Sequence, residues 1–462
     1  MYGLADVLPR GLSLLLVPLF THHLGATAYG ALALLALFST LAKIVFRLGL
    51  DAGFFRVHYD QPDEARRRQL AGTIAVFGAA VGAVLLVATA LLARPVSWAL
   101  FGDEPAPARW VVLAAADVAV GTLAFVPLSL LRIRERPGLF STFSVGRHLL
   151  NLLLKVVLVR AGWGVDGVLW SDLIATAVFV LCLLPTLRGH VSLAFAGPLL
   201  RDALGFGLPK VPHGLFVQIQ NLADRKILDL FVPLSDVGLY QVAYDLGSAP
   251  KFATSAFEPA WGPFLYAEIR KPDAPRTIAR LATIAFAAFA FCATGVAVLG
   301  AEALTILTPY SPAFRAAAPV IPVVACAYLL HGVFLLTSVG IGVSKRARYY
   351  PMITAVVAAA NVAANFLLIP RFGMMGAAWA TLASYAVMAA LGAVISQRLY
   401  PIPFERGRLL LLAAGGIAVF VLGRWAPAAL WPAIAWKAPL VAAYGAAAAL
   451  GVRRPRREDQ LA

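Results

Sequence analysis

Apolar runs of about 20 residues, the length that crosses a bilayer as one helix, recur along almost the whole chain. Short clusters of charge, Gly and Pro separate them. Fourteen such runs lie near 3–22, 28–50, 71–93, 110–131, 142–159, 165–186, 206–231, 237–258, 278–299, 316–341, 351–369, 374–396, 408–424 and 432–450. The first carries Asp6 and Arg10 and has no basic segment or small-residue cleavage site before it. It is expected to be a retained span, not a signal peptide. The pattern predicts an all-α polytopic membrane protein with about 14 transmembrane helices.

Composition agrees. Of 462 residues, 61% are hydrophobic and only 13% charged, against roughly half and a quarter in soluble domains. Mean hydropathy is +0.81. Three cysteines, Cys182, Cys292 and Cys326, sit inside apolar runs and offer neither a disulfide framework nor a zinc site. The 39 Lys and Arg against 23 Asp and Glu give a net charge of +16. With the N-terminus placed in the cytoplasm, 23 of the basic residues fall in inner loops and the C-terminal tail, and seven in outer loops. That bias alternates at every loop, as the positive-inside rule requires. It puts both termini in the cytoplasm and accounts for most of the basic excess without nucleic acid. The inner loop from Arg56 to Arg68 and the basic tail are suited to anionic lipid headgroups, so membrane lipids are expected partners.

The sequence also repeats. Trp163, Gly164, Gly167, Trp170 and Leu173 recur at an offset of 209 as Phe372, Gly373, Gly376, Trp379 and Leu382. The basic loop Arg132–Arg136 falls near Lys345–Arg348 at the same offset. Six spans separate the copies, an even number, so both enter from one face of the membrane. Parallel repeats of this kind are a transporter pattern with substrate held between the halves. The expected division is an N-lobe over 1–190, a C-lobe over 191–400, and two added spans with a basic cytoplasmic tail over 401–462.

With those near span ends (Arg280, Arg408, Arg424 and Lys437) counted to the loops, nine basic residues remain inside the spans: Arg10, Lys43, Arg47, Arg147, Lys155, Lys210, Arg225, Lys226 and Lys251. Each would cost about 2.5–3.5 kcal/mol at the bilayer centre, so some must line water or bind an anion. Lys43 and Arg47 share a helix face, as do Arg147, Asn151 and Lys155. Snorkelling to the interface is the other reading for Lys43, Arg47 and Arg147. The run 206–231 is the most polar: Lys210, Gly214, Gln218, Asn221 and Arg225 form one stripe, and Pro209 and Pro212 loosen its inner end. Arg225 pairing with Asp229 four residues on, and His213 as an interhelical hydrogen-bonding group, are the structural alternatives there. Asn361 and Asn365 lie one turn apart, with Thr381 in the next span. Such amides commonly bond between membrane helices.

Three segments resemble the polysaccharide (O-antigen or lipopolysaccharide repeat-unit) flippases of the MATE-like multidrug, oligosaccharidyl-lipid and polysaccharide transporter superfamily. They are Pro18 to Thr21 with Gly25, Tyr29 and Gly30; then Gly207, Pro209, Asp224 and Arg225 followed by Val237, Gly238, Tyr240, Ala243 and Tyr244; then Gly373 with Gly376. The resemblance covers spans 1–12. It implies two six-helix lobes around a cationic cavity in the bacterial cytoplasmic (inner) membrane. By alternating access they would move a polyprenyl-pyrophosphate-linked oligosaccharide from the inner to the outer leaflet for surface polysaccharide assembly. Arg10, Lys43, Arg47, Arg147, Lys155, Lys210 and Arg225 are the expected cargo-binding cations. A glycan polymerase or glycosyltransferase is the expected protein partner. Sodium or proton coupling is implied, with no other cofactor; a sodium ion would fall on Asp224, Asn361, Asn365 and Thr381, although Asn365 stands where a carboxylate is expected. The alternatives are a multidrug or organic-cation antiporter of the same fold, to which Asp6, Asp117, Asp172, Asp245 and Glu258 are suited, and a peptidoglycan-precursor flippase. No catalytic motif, metal-ligand cluster or P-loop occurs, so an enzyme is not expected.

Overall fold

In a computed structural model, residues 16–102, 106–269, 271–344, 346 and 348–453 are described, less the side chains of His213, Gln220, Asn221, Pro263, Tyr266 and Arg453. The described residues are mostly helical, without a strand. Lipid explains this, because a helix satisfies its own backbone hydrogen bonds where no water can.

The chain forms two compact units. The first runs to Asp229 and takes in Pro233–Gly238; the second holds Leu230–Val232 and everything from Leu239 onward. This contact boundary lies within span 8 of the sequence reading, whereas the repeat was divided at residue 190.

The first unit contains α1 (Gly25–Arg47), α2 (Leu50–Asp60), α3 (Glu64–Leu91), α4 (Ala108–Leu123), α5 (Phe125–Ile133), α6 (Pro137–Arg160), α7 (Gly164–Leu183), α8 (Gly197–Gly207) and α9 (Val211–Asp229). Leu48 and Gly49, both left-handed, end α1 and turn the chain into α2. The Asp63 side chain caps α3, accepting from the Arg66 N–H at 2.6 Å, as a helix start favours. α4 packs against α1, α3 and α7, and α7 carries α6 on its other side. Half of the apolar window of α4 and of α7 is buried, but only 6% of that of α6. α6 is therefore the open side of its unit.

Glycines set the closest crossings. A Cβ on Gly49 would stand 2.1 Å from the Gly207 carbonyl oxygen, and one on Gly30 2.1 Å from that of Leu234. Small residues let helix backbones meet this way in membranes. In the family-like segments Gly30, Gly207, Gly238 and Gly376 are packing residues of this kind, and Gly25 and Gly373 take positive φ.

The second unit holds α10 (Leu234–Gly247, whose start lies in the first unit), α11 (Pro250–Glu268), α12 (Ala274–Leu307), α13 (Val320–Thr337), α14 (Tyr349–Leu399), α15 (Arg406–Gly423) and α16 (Leu430–Arg453). α12 and α14 both pack on α13. α16 is tied to α12 by Lys437 and Glu302 at 2.6 Å and to α15 by the Tyr444 hydroxyl, which donates to the Leu412 carbonyl at 2.8 Å.

α14 is not one straight helix. Gly373 has φ 53° and ψ −131°, and a Cβ on Gly376 would stand 2.4 Å from the Leu368 oxygen. Eight residues of straight helix would span about 12 Å, so the chain doubles back here. Two expected spans, 351–369 and 374–396, are the two arms of this hairpin.

Among the described residues, ten helices are long and apolar enough to cross a membrane, and the α14 hairpin supplies two of the expected spans. Two further expected runs are helical but fall short of that standard. The run 206–231 is too polar and is α9 with the end of α8; 237–258 is broken by Pro250 into α10 and α11. Most of the first run lies outside the described residues. Helices also outlast their apolar runs: α12 covers 274–307 where 278–299 was expected, because a helix continues past the hydrocarbon into water.

Candidate functional site: a polar cluster on the open side of the first unit

α6 begins at Pro137, whose fixed φ suits a first helical turn. From there Arg147, Asn151 and Lys155 follow at four-residue steps, which stacks them on one face. α7 supplies their partners. Lys155 Nζ lies 2.9 Å from Asp172 Oδ1, and Asn151 Nδ2 donates to the same oxygen at 2.7 Å. Arg147 Nη2 donates to the Thr176 hydroxyl at 2.9 Å, and that hydroxyl donates to Asp117 on α4. The Arg147 guanidinium also sits over the Phe179 ring, 5.5 Å from its centre. Lys43, on α1, is exposed and close enough to Asp117, Arg147 and Asp172 to interact with their charges.

Three cations and two carboxylates from four helices therefore meet in one unit. They are not sealed in: the Lys155 side chain is 17% exposed and that of Asp172 31%. Groups so charged would cost several kcal/mol each against hydrocarbon, so this face of α6 and α7 is suited to a polar surrounding and not to lipid. Two buried polar atoms in the cluster, Arg147 Nε and Asn151 Oδ1, have no hydrogen-bond partner.

The other expected cations are placed differently. Arg10 lies outside the described residues. Arg47 pairs with Asp51 at 3.2 Å, and exposed Lys210 stands 4.0 Å over the Phe206 ring. Arg225 is 2% exposed, with Nη1 2.6 Å from Asp224 Oδ1. Asp229, the alternative partner for Arg225, receives Lys226 at 2.7 Å, whose ammonium also donates to the Leu100 carbonyl. Lys251 lies 5.8 Å from the centre of the Tyr328 ring in the second unit.

The residues suggested for a cation divide between the units. Asp224 is in the first, balanced by Arg225. In the second, Asn365 Nδ2 donates to Asn361 Oδ1 at 3.0 Å and Asn361 Nδ2 to Ser384 Oγ at 3.0 Å. The Thr381 hydroxyl donates to the Ala377 carbonyl at 3.1 Å. Asn365 Oδ1 is the one unengaged side-chain oxygen of this buried trio. The three residues of the second unit are neutral and bonded to one another or to their own helix.

Sequence reasoning missed Thr176, which links Arg147 to Asp117, and set Asp117 and Asp172 apart from the cations they touch. It also missed an aromatic group in the second unit, where the Tyr244 and Tyr328 hydroxyls meet at 3.0 Å and the His331 ring lies 5.4 Å from that of Tyr385. The spacing of Tyr328 and His331, three apart on α13, was the available signal.

Comparison with known proteins follows the fold. The chain is 23% identical over 279 residues to a protein described as a probable flippase, AglR, of Haloferax volcanii; the match covers 59% of this chain and 56% of the relative, so it spans little more than half of that protein. Among solved structures, the lipid II flippase MurJ in an inward closed conformation superposes with a TM-score of 0.78 at 12% identity, over 97% of this chain and 99% of that one. An inward-facing multidrug resistance MATE family transporter of the MOP superfamily superposes with a TM-score of 0.62 at 17% identity, over 84% and 94%. At these identities the structures speak for the fold. The family profile described as "Polysaccharide biosynthesis protein" matches residues 22–319, well over half of the chain. This multi-pass helical membrane protein, with the fold of the MATE-like transporters, belongs to that polysaccharide biosynthesis protein family.

Proposed function

We propose that the protein is a flippase for a polyprenyl-pyrophosphate-linked oligosaccharide, carrying it from the inner to the outer leaflet of the bacterial cytoplasmic membrane by alternating access, with both termini cytoplasmic. The observation that carries this reading is the cluster of Lys43, Arg147 and Lys155 on a partly exposed face of the first unit. A pyrophosphate cannot enter hydrocarbon unaided, and Arg and Lys donors replace its hydration with charge-assisted hydrogen bonds. The family match and the resemblance to flippases support the same cargo class. Arg47 and Lys210 would serve the cargo nearer the helix ends. Arg225 would act as part of a packed pair and would meet cargo only in another conformation.

The test is to delete the protein in cells that still make the cargo and to identify the polyprenyl-linked lipids that accumulate. Build-up of a pyrophosphate-linked oligosaccharide, relieved by the wild-type chain and not by Lys155→Ala, is the expected result. Absence of build-up with altered drug tolerance would favour the second reading, an organic-cation antiporter. Asp117 and Asp172 in the same cluster are the observation behind that alternative.

A further inference from the structure

The cations of the first unit are not waiting empty-handed. Lys155 and Asn151 both reach Asp172 Oδ1, at 2.9 and 2.7 Å. Arg147 reaches Asp117 through the Thr176 hydroxyl. Lys43 interacts with both carboxylates. Three positive charges therefore face two negative ones, and the cluster carries little net charge.

The network is also incompletely matched. Arg147 Nε and Asn151 Oδ1 are buried without a partner, although a buried unsatisfied group costs about 1–3 kcal/mol. Asp172 stays 31% exposed while holding a lysine. An ion network built only to lock α6 onto α7 would close these gaps. An arrangement that exchanges partners would leave them.

We propose that Asp117 and Asp172 are resident counter-anions, which occupy the Arg147 and Lys155 donors when cargo is absent and give them up to the cargo's pyrophosphate. This rests on the cargo reading above and adds a regulation of the same site. A carboxylate and a phosphate oxygen offer the same kind of charge-assisted acceptor, so one replaces the other without leaving a cation bare. Three clustered cations without counter-charges would repel one another in the empty protein. They would also hold a multiply charged anion too firmly to let it go. The carboxylates therefore weaken binding and speed release.

The experiment measures binding of inorganic pyrophosphate to the purified full chain in detergent by calorimetry. It compares the wild type with Asp172→Asn, Asp117→Asn and Lys155→Ala, each checked for folding by its thermal unfolding. Each Asn variant is expected to bind pyrophosphate at least about tenfold more tightly than wild type, a modest part of the attraction of one unit charge at this range. In reconstituted vesicles each is expected to flip polyprenyl-pyrophosphate lipid more slowly. Lys155→Ala is expected to lose binding. Folded Asn variants that bind no more tightly than wild type would overturn the counter-anion proposal, and leave the cargo reading intact so long as wild-type binding depends on Lys155. Loss of neither binding nor flipping in Lys155→Ala would overturn both. Should Asp172→Asn fail to fold, Asp117→Asn, whose carboxylate bonds to a hydroxyl, decides the matter by the same criterion.

Discussion

Two helical hairpins of this protein share a backbone and differ in chemistry. The first is α6 with α7; the second is the two arms of α14. Gly164 and Gly373, 209 residues apart, turn them with φ of +57° and +53°. Gly167 and Gly376 pack against the preceding arm in each. Each turn carries an aromatic pair, Trp163 with Trp170 and Phe372 with Trp379, the latter 5.1 Å apart. Yet the first hairpin presents Arg147, Asn151, Lys155 and Asp172 half-buried, while the second presents Asn361, Asn365, Thr381 and Ser384, all at most 5% exposed. Thr381 stands where the first copy has Asp172. The backbone has kept its turn while the polar stripe has followed its burial, ionic where it is partly exposed and neutral where helices pack. Charge is affordable on one arm and excluded from the other by burial alone.

The largest expected effect contrasts an enclosed cation with an open one. Arg225→Ala leaves the Asp224 carboxylate with its guanidinium partner gone at 2–3% side-chain exposure. It is expected to lower stability by about 3–5 kcal/mol, read as thermal unfolding of the purified protein in detergent. Arg147→Ala, in a partly exposed cluster, should shift the same transition far less. Equal shifts would show that the first hairpin is as closed as the Arg225 pair.

The second test separates the two turns. A Cβ on Gly376 meets the Leu368 backbone oxygen at 2.4 Å, while one on Gly167 meets the Trp163 Cβ at 2.9 Å. Gly376→Ala is expected to cost about 1–3 kcal/mol by overpacking and Gly167→Ala less, since its nearest neighbours stand about half an ångström farther off. The reverse order, in the same unfolding assay, would break the geometric equivalence of the repeats.

Much of this was legible in the sequence, for a physical reason. Burial in lipid writes itself as long apolar runs, and a tight turn writes itself as glycine, so the spans and the offset of 209 could be read directly. The stripe of Arg147, Asn151 and Lys155 was equally plain, because helical periodicity is local. Its partners were not. Asp172 lies 21 residues from Asn151, and Asp117 lies 59 from Thr176. No spacing rule reaches that far. For Arg225 the local rule offered only Asp229 as an alternative partner to the cargo, because residues one apart on a helix do not face each other. A long guanidinium in an enclosed site nevertheless curled back to its neighbour.

The smallest expected effect probes the neutral hairpin. Asn361→Ala removes the acceptor of Asn365 Nδ2 and a donor to Ser384. It is expected to cost about 1 kcal/mol, measured by the same unfolding midpoint. A loss as large as that of Arg225→Ala would mean that the amides do more than satisfy one another.

The most direct test of the central claim is reconstitution. Wild-type protein in proteoliposomes should move a fluorescent polyprenyl-pyrophosphate oligosaccharide between leaflets, scored by its accessibility to an impermeant quencher. Lys155→Ala and Arg147→Ala, folded and incorporated to the same level, should reduce that rate at least about tenfold, the equivalent of about 1.4 kcal/mol in the barrier. Wild-type rates in both variants would contradict the assignment of the α6 cluster as the cargo's binding site.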